Sequence, residues 1–280
     1  MKNRDGSFQG ARGMSIYYQY WEPQASPKAL ILIVHGAGEH SGRYGRVARY
    51  LTDNGYAVVA LDHPNHGKSD GSYGHVEHFG DFLETLDRFH QQVSAEFTGL
   101  PQILLGHSMG GLISSLYLLQ HQQDFLGCVL SAPAIKTDIK PGFLQMLLIR
   151  FLSKVAPKAG VLQLDANGVS RDPAEVQKYV GDPLVNHNKM TARMVGELFS
   201  AMHRIQTDAG QITLPMLLLH GAADSMAAAE GSRFLHGHIS STDKTLKIYP
   251  DLYHEIFNEP EREQVLSDVL QWCDNRVAQS

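Results

Sequence analysis

The chain has 280 residues, a hydrophobic fraction of 43% and a formal net charge of -5, which suits one large domain, or one core with an insertion, around a sizeable apolar interior. The mild acidity and the lack of any Lys/Arg cluster that could track a phosphate backbone exclude a nucleic-acid binder. The polar start Met1-Lys2-Asn3-Arg4-Asp5-Gly6 has no apolar h-region and no apolar stretch reaches the ~18–20 residues that span a bilayer, so cytoplasmic residence is expected.

In chain order, Ser7-Phe8-Gln9 and Met14 to Trp21 are predicted to form an opening antiparallel hairpin through Gly10 and Gly13. Ala29 to Val34 is a continuous apolar run rich in β-branched residues, as expected of a strand buried on both faces of a parallel sheet. It ends in the turn His35-Gly36-Ala37-Gly38. Tyr44 to Asn54 has helical spacing, with Gly55 as a stop. Tyr56 to Leu61 is the next buried strand, followed by a polar loop from Asp62 to Gly71 and a helix from Phe79 to Phe97. Gln102 to Leu105 is a strand, Gly111 to Leu119 a helix, and Leu126 to Leu130 another strand. The strand–helix alternation then stops. Residues 136–208 show helix-like segments and no convincing strand, so they are expected to be a helical cap covering one edge of the sheet. The pattern resumes with strands at Leu214 to His220 and Lys244 to Tyr249, and a helix from Glu261 to Arg276. The expected fold class is α/β: a mostly parallel central sheet flanked by helices, with residues 1–135 and 209–280 as core and 136–208 inserted. Cys128 and Cys273 suggest no disulfide framework, and the 15 histidines lack metal-ligand spacing, so no metal is expected.

The chemistry centres on Gly106-His107-Ser108-Met109-Gly110, a G-x-S-x-G turn between a predicted strand and a predicted helix. That context is what a nucleophile elbow requires, with Ser108 at a strained positive φ and its hydroxyl pointing out of the sheet. A serine hydroxyl is a weak nucleophile and needs a base, which imidazole supplies near neutrality, and an acid to orient that base. Sites in open parallel sheets form beyond the carboxyl ends of the strands. Asp224 follows the penultimate strand directly, ahead of the rivals Asp138, Asp243 and Asp251, and His254 alone among the histidines follows the last strand. The order Ser108, Asp224, His254 is the nucleophile–acid–base order of α/β-hydrolases. His35, His107 and His220 also end strands and are expected to hydrogen-bond within the site or pack beside it. Backbone N–H groups of Met109, after the nucleophile, and Ala37, after the first parallel strand, are the expected oxyanion hole. No G-x-G-x-x-G is present, which sets aside dinucleotide binding.

Several stretches together resemble the monoacylglycerol lipase and lysophospholipase family of α/β-hydrolases, over residues 12 to the last helix. They are His35 to Tyr44, Asp62-His63-x-x-His66-Gly67-x-Ser69, Leu104 to Gly111, Asp182-Pro183-Leu184, and Lys244 to Tyr249 with Tyr253-His254. The resemblance implies a membrane-facing cap, a hydrophobic acyl tunnel and a small polar pocket for glycerol. By position Glu39 and Arg43 would line that polar end, with Tyr179 of the cap beside them; a local salt bridge and a packed aromatic is the alternative for these three. Phe257 stands where animal members carry a second histidine, and the animal cysteines of the cap and of the loop after Asp224 are missing. Head-group contacts and thiol sensitivity therefore do not carry over.

Gly142 to Leu152 is apolar around nearly the whole helix and too short to span a bilayer. Packing on the core is one reading; an acyl-tunnel wall or interfacial lipid contact is the other. The chain is thus read as a serine ester hydrolase that cleaves monoacylglycerols to fatty acid and glycerol through an acyl-Ser108 intermediate, without metal or organic cofactor. Its expected partner is a lipid-like ester, with transient membrane-surface contact through the cap. A lysophospholipase, a broad carboxylesterase or a thioesterase is the alternative within the class; a non-catalytic lipid binder on a hydrolase fold is the alternative outside it.

Overall fold

A computed structural model describes residues 1–137 and 142–279. The chain opens with β1 (Lys2–Gln9) and β2 (Ser15–Glu22). It continues through β3 (Ala29–Val34), α1 (Gly45–Asp53), β4 (Tyr56–Leu61), α2 (Gly80–Glu96), β5 (Gln102–His107), α3 (Met109–His121) and β6 (Gly127–Ser131). Between β6 and the next core strand lie α4 (Phe143–Val155), β7 (Gly160–Leu162), α5 (Pro173–Gly181), β8 (Met190–Thr191) and α6 (Ala192–Asp208). Then β9 (Met216–Gly221), α7 (Ala229–His238), β10 (Lys244–Tyr249) and α8 (Arg262–Val277) close the chain.

Among the described residues the sheet has eight strands in the order β1-β2-β4-β3-β5-β6-β9-β10. In that order the strands from β4 through β10 pair in parallel, while β1 and β2 are antiparallel additions at one edge. Every residue of β3 and β4 is buried, because helices cover both faces. Successive side chains point to opposite faces. Leu30, Leu32 and Val34 join the core with Phe82, Leu86 and Phe89 of α2 and Leu112 and Ile113 of α3. Ile31 and Ile33 join Val47 and Leu51 of α1 and Val265, Val269 and Trp272 of α8. From β3 the chain steps to β4 on one side and returns to β5 on the other. The strand order therefore reverses between β3 and β5, where doubly wound sheets open a crevice at their carboxyl ends.

Four features differ from the sequence expectation. β1 runs from Lys2, five residues before the predicted Ser7, because backbone pairing with β2 holds its exposed polar residues in register, Lys2 opposite Glu22. The inserted segment contains a small antiparallel pair, β7 with β8, where no strand was expected. That segment also does not cover a sheet edge. It leaves from β6 and returns to β9, which are interior neighbours, and its residues lie beyond the carboxyl ends of the strands. Finally, α7 adds a helix whose two glycines and scattered apolar residues hide its period.

Asp138 and the side chains at 143–146 and 150 lie outside the described residues. On the described part of α4, Leu147, Leu148, Phe151 and Val155 are exposed, while Ile149 packs toward the core. Cys128 and Cys273 are buried free thiols.

Candidate active site

The site begins where β5 meets α3. Ser108 has φ 53° and ψ -120°, a region that L side chains enter only under strain. Its surroundings hold it there. Its N–H donates to Ser131 O at 3.0 Å, and its carbonyl accepts from Gly111, Leu112 and Ala134 at 2.9, 3.1 and 3.0 Å. The flanking glycines permit the turn: a Cβ on Gly110 would meet Val34 O at 2.0 Å, and one on Gly106 would meet Gly110 O at 2.7 Å.

His254 Nε2 lies 2.8 Å from Ser108 Oγ, and His254 Nδ1 lies 2.7 Å from Asp224 Oδ2. With Nδ1–H donating to the carboxylate, Nε2 is the acceptor for the serine proton. The loops carrying Asp224 and His254 cross at Gly221, where a Cβ would lie 2.1 Å from Leu252 O. Asp224 accepts from the N–H groups of Met226 and Ala227 at 2.8 and 3.0 Å. It also receives the buried His220, whose Nε2 is 3.1 Å from Oδ2 and 3.0 Å from Ala227 O. Two acceptors at one nitrogen place the His220 proton on Nε2, so Nδ1 accepts from Ser232 Oγ–H at 2.7 Å. Burial alone would raise the pKa of Asp224, but the charge of His254 and hydrogen bonds from both histidines hold it below the usual carboxylate range. Burial would likewise lower the pKa of His254, and the Asp224 charge and hydrogen bond outweigh it, leaving it raised.

The loop after β3 lies against the elbow: a Cβ on Gly36 would meet that of Ser108 at 3.2 Å. Gly36 N–H donates to Glu39 Oε1 at 2.7 Å, and His35 Nδ1 donates to Gly36 O at 2.8 Å. His35 Nε2 accepts the N–H of His63 at 2.9 Å. Burial, first of all, depresses the pKa of His35 and takes that of His63 to about 3, so both stay neutral. Burial and the neighbouring His254 also take His107 to about 3. Its Nδ1 is 3.1 Å from Ser131 O, and the residue lines the same cavity as Ser108. Ala37 and Met109 line the same cavity as Ser108, and among the described residues no side chain or loop carbonyl takes their N–H groups.

That cavity has an apolar wall from Leu162, Leu164, Val195, Leu198, Phe199 and Met202 of the inserted segment, and a polar end with Glu39, Tyr179 and Glu255. Arg43, expected beside Glu39 and Tyr179, is not on the cavity wall. It lies behind, in a small cleft with Tyr44, Val47 and Phe257. Its guanidinium forks onto both carboxylate oxygens of Glu255 at 2.6 and 2.7 Å, reaches Glu39 Oε2 at 2.9 Å, and covers the Tyr179 ring at 4.7 Å. A buried salt bridge and a packed aromatic are therefore present, and Glu39 and Tyr179 also face the cavity. Glu255 escaped the sequence reading. The only available signal was an acidic residue directly after His254; its partner is 212 positions away.

A family model described as serine aminopeptidase, S33, matches residues 25–261. The chain is similar to the monoacylglycerol lipase of Mycolicibacterium smegmatis, 38% identical over 95% of each chain. It is also similar to the monoglyceride lipase of Homo sapiens, 35% identical over 96% of this chain and 89% of the relative. Among solved structures, the monoacylglycerol lipase of Paleococcus ferrophilus superposes with a TM-score of 0.84 at 32% identity, over 95% of this chain and 99% of the other.

Proposed function

Because the chain belongs to the serine aminopeptidase S33 family of α/β-hydrolases and is similar to monoacylglycerol lipases, we propose that it hydrolyses monoacylglycerols with Ser108 as nucleophile, His254 as base and Asp224 as the acid that orients it. The observation that carries this is the hydrogen-bonded line from Ser108 Oγ to His254 to Asp224, at 2.8 and 2.7 Å, opening into an apolar cavity.

In this mechanism the acyl chain lies along the wall of Leu162, Leu164, Leu198 and Phe199, with the head group toward Glu39, Tyr179 and Glu255. His254 Nε2 takes the Ser108 proton as Oγ bonds to the ester carbon. The carbonyl oxygen becomes an oxyanion between the N–H groups of Ala37 and Met109, donors already aimed before the charge develops. The intermediate collapses as the bond to the glycerol oxygen breaks, and His254 gives that oxygen its proton. Water then enters, His254 removes its proton, and attack on the acyl-Ser108 ester releases fatty acid and restores Ser108. Asp224, ionised throughout, stabilises the imidazolium at each stage.

Residues 136–208 act as the cap, and the exposed Leu147, Leu148, Phe151 and Val155 of α4 are its contact with a lipid surface. Replacing Leu148 and Phe151 by Glu is expected to reduce co-sedimentation with phosphatidylglycerol–phosphatidylcholine vesicles while turnover of a dispersed short-chain ester persists. The central test is labelling by a fluorophosphonate probe with a substrate panel of 1-monoacylglycerols, diacylglycerol, lysophosphatidylcholine, p-nitrophenyl esters and acyl-CoA. Wild-type labelling that Ser108→Ala abolishes, together with preference for monoacylglycerol, supports the assignment. No labelling of the wild type points to a non-catalytic binder. Preference for lysophosphatidylcholine, p-nitrophenyl esters or acyl-CoA moves the activity to a lysophospholipase, a carboxylesterase or a thioesterase.

A further inference from the structure

The polar end of the cavity has an unusual charge arrangement. Two buried carboxylates, Glu39 and Glu255, share one guanidinium. Arg43 gives its planar fork to Glu255 and its remaining reach to Glu39, while its face rests on Tyr179. Glu39 spends Oε1 on Gly36 N–H and on Tyr44 O–H at 2.7 Å each. The guanidinium is thus held by these two carboxylates and sits behind the wall, whereas both carboxylates face the cavity. A second, polar cavity adjoins the first across Ala37 and Tyr179. Its described lining includes His66, Asn186 and Asp165 and no Lys or Arg. Lys136 lines the main cavity, but its Nζ lies over the Phe234 ring at 4.2 Å.

We propose that Glu255 is a specificity-determining residue which, by occupying Arg43, leaves the head-group end without a free cation and so selects neutral polyol esters over phosphate-bearing ones. This rests on the ester-hydrolase reading of the site. A phosphate brought to that end would lose its hydration, meet no counter-charge and lie beside a carboxylate, and like charges placed together in a desolvated site repel strongly. A glycerol head group has only hydroxyls, which can donate to Glu39 and Glu255 and need no counter-ion. Were Arg43 free, its fork would fit a phosphate well.

The test compares the purified wild type and Glu255→Gln on 1-oleoylglycerol and on 1-oleoyl lysophosphatidylglycerol, both below their aggregation limits, by fatty-acid release. The wild type is expected to disfavour the phosphate ester by on the order of 10- to 100-fold in kcat/KM, mostly through KM. Glu255→Gln, which frees part of the Arg43 fork, is expected to narrow that ratio by about tenfold. Equal turnover of the two esters by the wild type, or an unchanged ratio in a folded Glu255→Gln, overturns the proposal. A measurement without a variant guards against misfolding of Glu255→Gln. Non-hydrolysable 1-O-hexadecylglycerol should inhibit p-nitrophenyl ester hydrolysis by the wild type at least about tenfold more tightly than its 3-phosphate, and equal inhibition overturns the proposal. Absence of any hydrolysis of both 1-oleoylglycerol and p-nitrophenyl esters would instead remove the ester-hydrolase reading itself, so the two failures are separable.

Discussion

The strain at Ser108 can be measured by comparing two inactive variants, Ser108→Ala and Ser108→Gly. At φ 53° and ψ -120°, a residue with a Cβ costs about 1–3 kcal/mol. Glycine enters that region freely, but its extra freedom in the unfolded chain costs about 0.5–1 kcal/mol. Both variants lose the hydrogen bond to His254, so that loss cancels between them. The difference leaves Ser108→Gly more stable than Ser108→Ala by roughly 1 kcal/mol, which corresponds to about 2 °C in Tm for a chain of this size. Urea midpoints and thermal scans on the pair provide the assay, with loss of ester hydrolysis in both as the control. At the first turn of an unstrained helix, glycine would be the less stable of the two. If Ser108→Gly melts below Ser108→Ala, the elbow holds no strain and the account of how Ser108 is presented is wrong.

The raised pKa of His254 sets the acid limb of activity, because only the neutral imidazole accepts the serine proton. kcat/KM should fall as pH drops through a value above the ordinary His pKa of about 6.5. Asp224→Asn should move that limb downward and cut kcat by up to about 10⁴-fold; a near-active variant would place the acid elsewhere. His220→Leu removes one of four hydrogen bonds to Asp224, and a loss on the order of tenfold in kcat with KM unchanged is expected. His220→Gln, which can still donate, should recover part of it, and an unchanged kcat and pH profile in His220→Leu would show that His220 is a packing residue only. Buried neutral histidines also make the fold acid-labile. His63 and His107 have pKa values of about 3 in the folded chain, so their stabilisation is complete above the unfolded value of about 6.5 and is lost as pH falls toward 3. Each contributes about 1.4 kcal/mol per pH unit within that window, and His63→Phe should flatten the fall of Tm with pH; an equally steep fall in both proteins would refute the assignment of the slope to buried histidines.

Much of the sheet was legible because interior parallel strands are buried on both faces. Ala29–Val34 and Tyr56–Leu61 leave unbroken apolar runs for that reason. The chemistry was legible where position alone mattered: side chains that directly follow strands gather at the carboxyl edge, and Ser108, Asp224 and His254 come within hydrogen-bond reach there. What escaped detection depends on pairing rather than pattern. β1 is held by a backbone ladder beneath exposed side chains, with side-chain support for its polar start from contacts such as Arg4 with Glu22 and Asp5 with Tyr17. The strands of the β7–β8 pair, three and two residues long, are too short to show alternation. Glu255 became visible only when the fold brought it to Arg43, and His220, expected within or beside the site because it ends a strand, acquired a specific partner only when the fold brought it to Asp224. Neither contact has a local signature, because the guanidinium of Arg43 could have met any acid in the chain.

The same ion network bears on how the site is aligned. Three loops from separate strands must hold Ala37, Ser108 and His254 within hydrogen-bond tolerance, and apolar burial is too non-directional to do this alone. Glu39 fixes Gly36 through its N–H, Arg43 joins Glu39 to Glu255, and Glu255 is bonded to His254 through the chain. The backbone N–H groups of His254 and Glu255 reach the inserted segment at Gly168 O and Val169 O, at 3.4 and 2.8 Å. A single guanidinium thus ties the loop carrying Ala37, the loop carrying His254 and the inserted segment together. A buried ion pair is weak evidence for stability, since desolvation offsets its attraction. Its value here is directional: a forked guanidinium accepts few arrangements of its partners. The carboxylates proposed to set the charge of the head-group end are therefore also groups that tie the loop carrying Ala37 to the loop carrying His254, so under that proposal specificity and alignment change together at these positions.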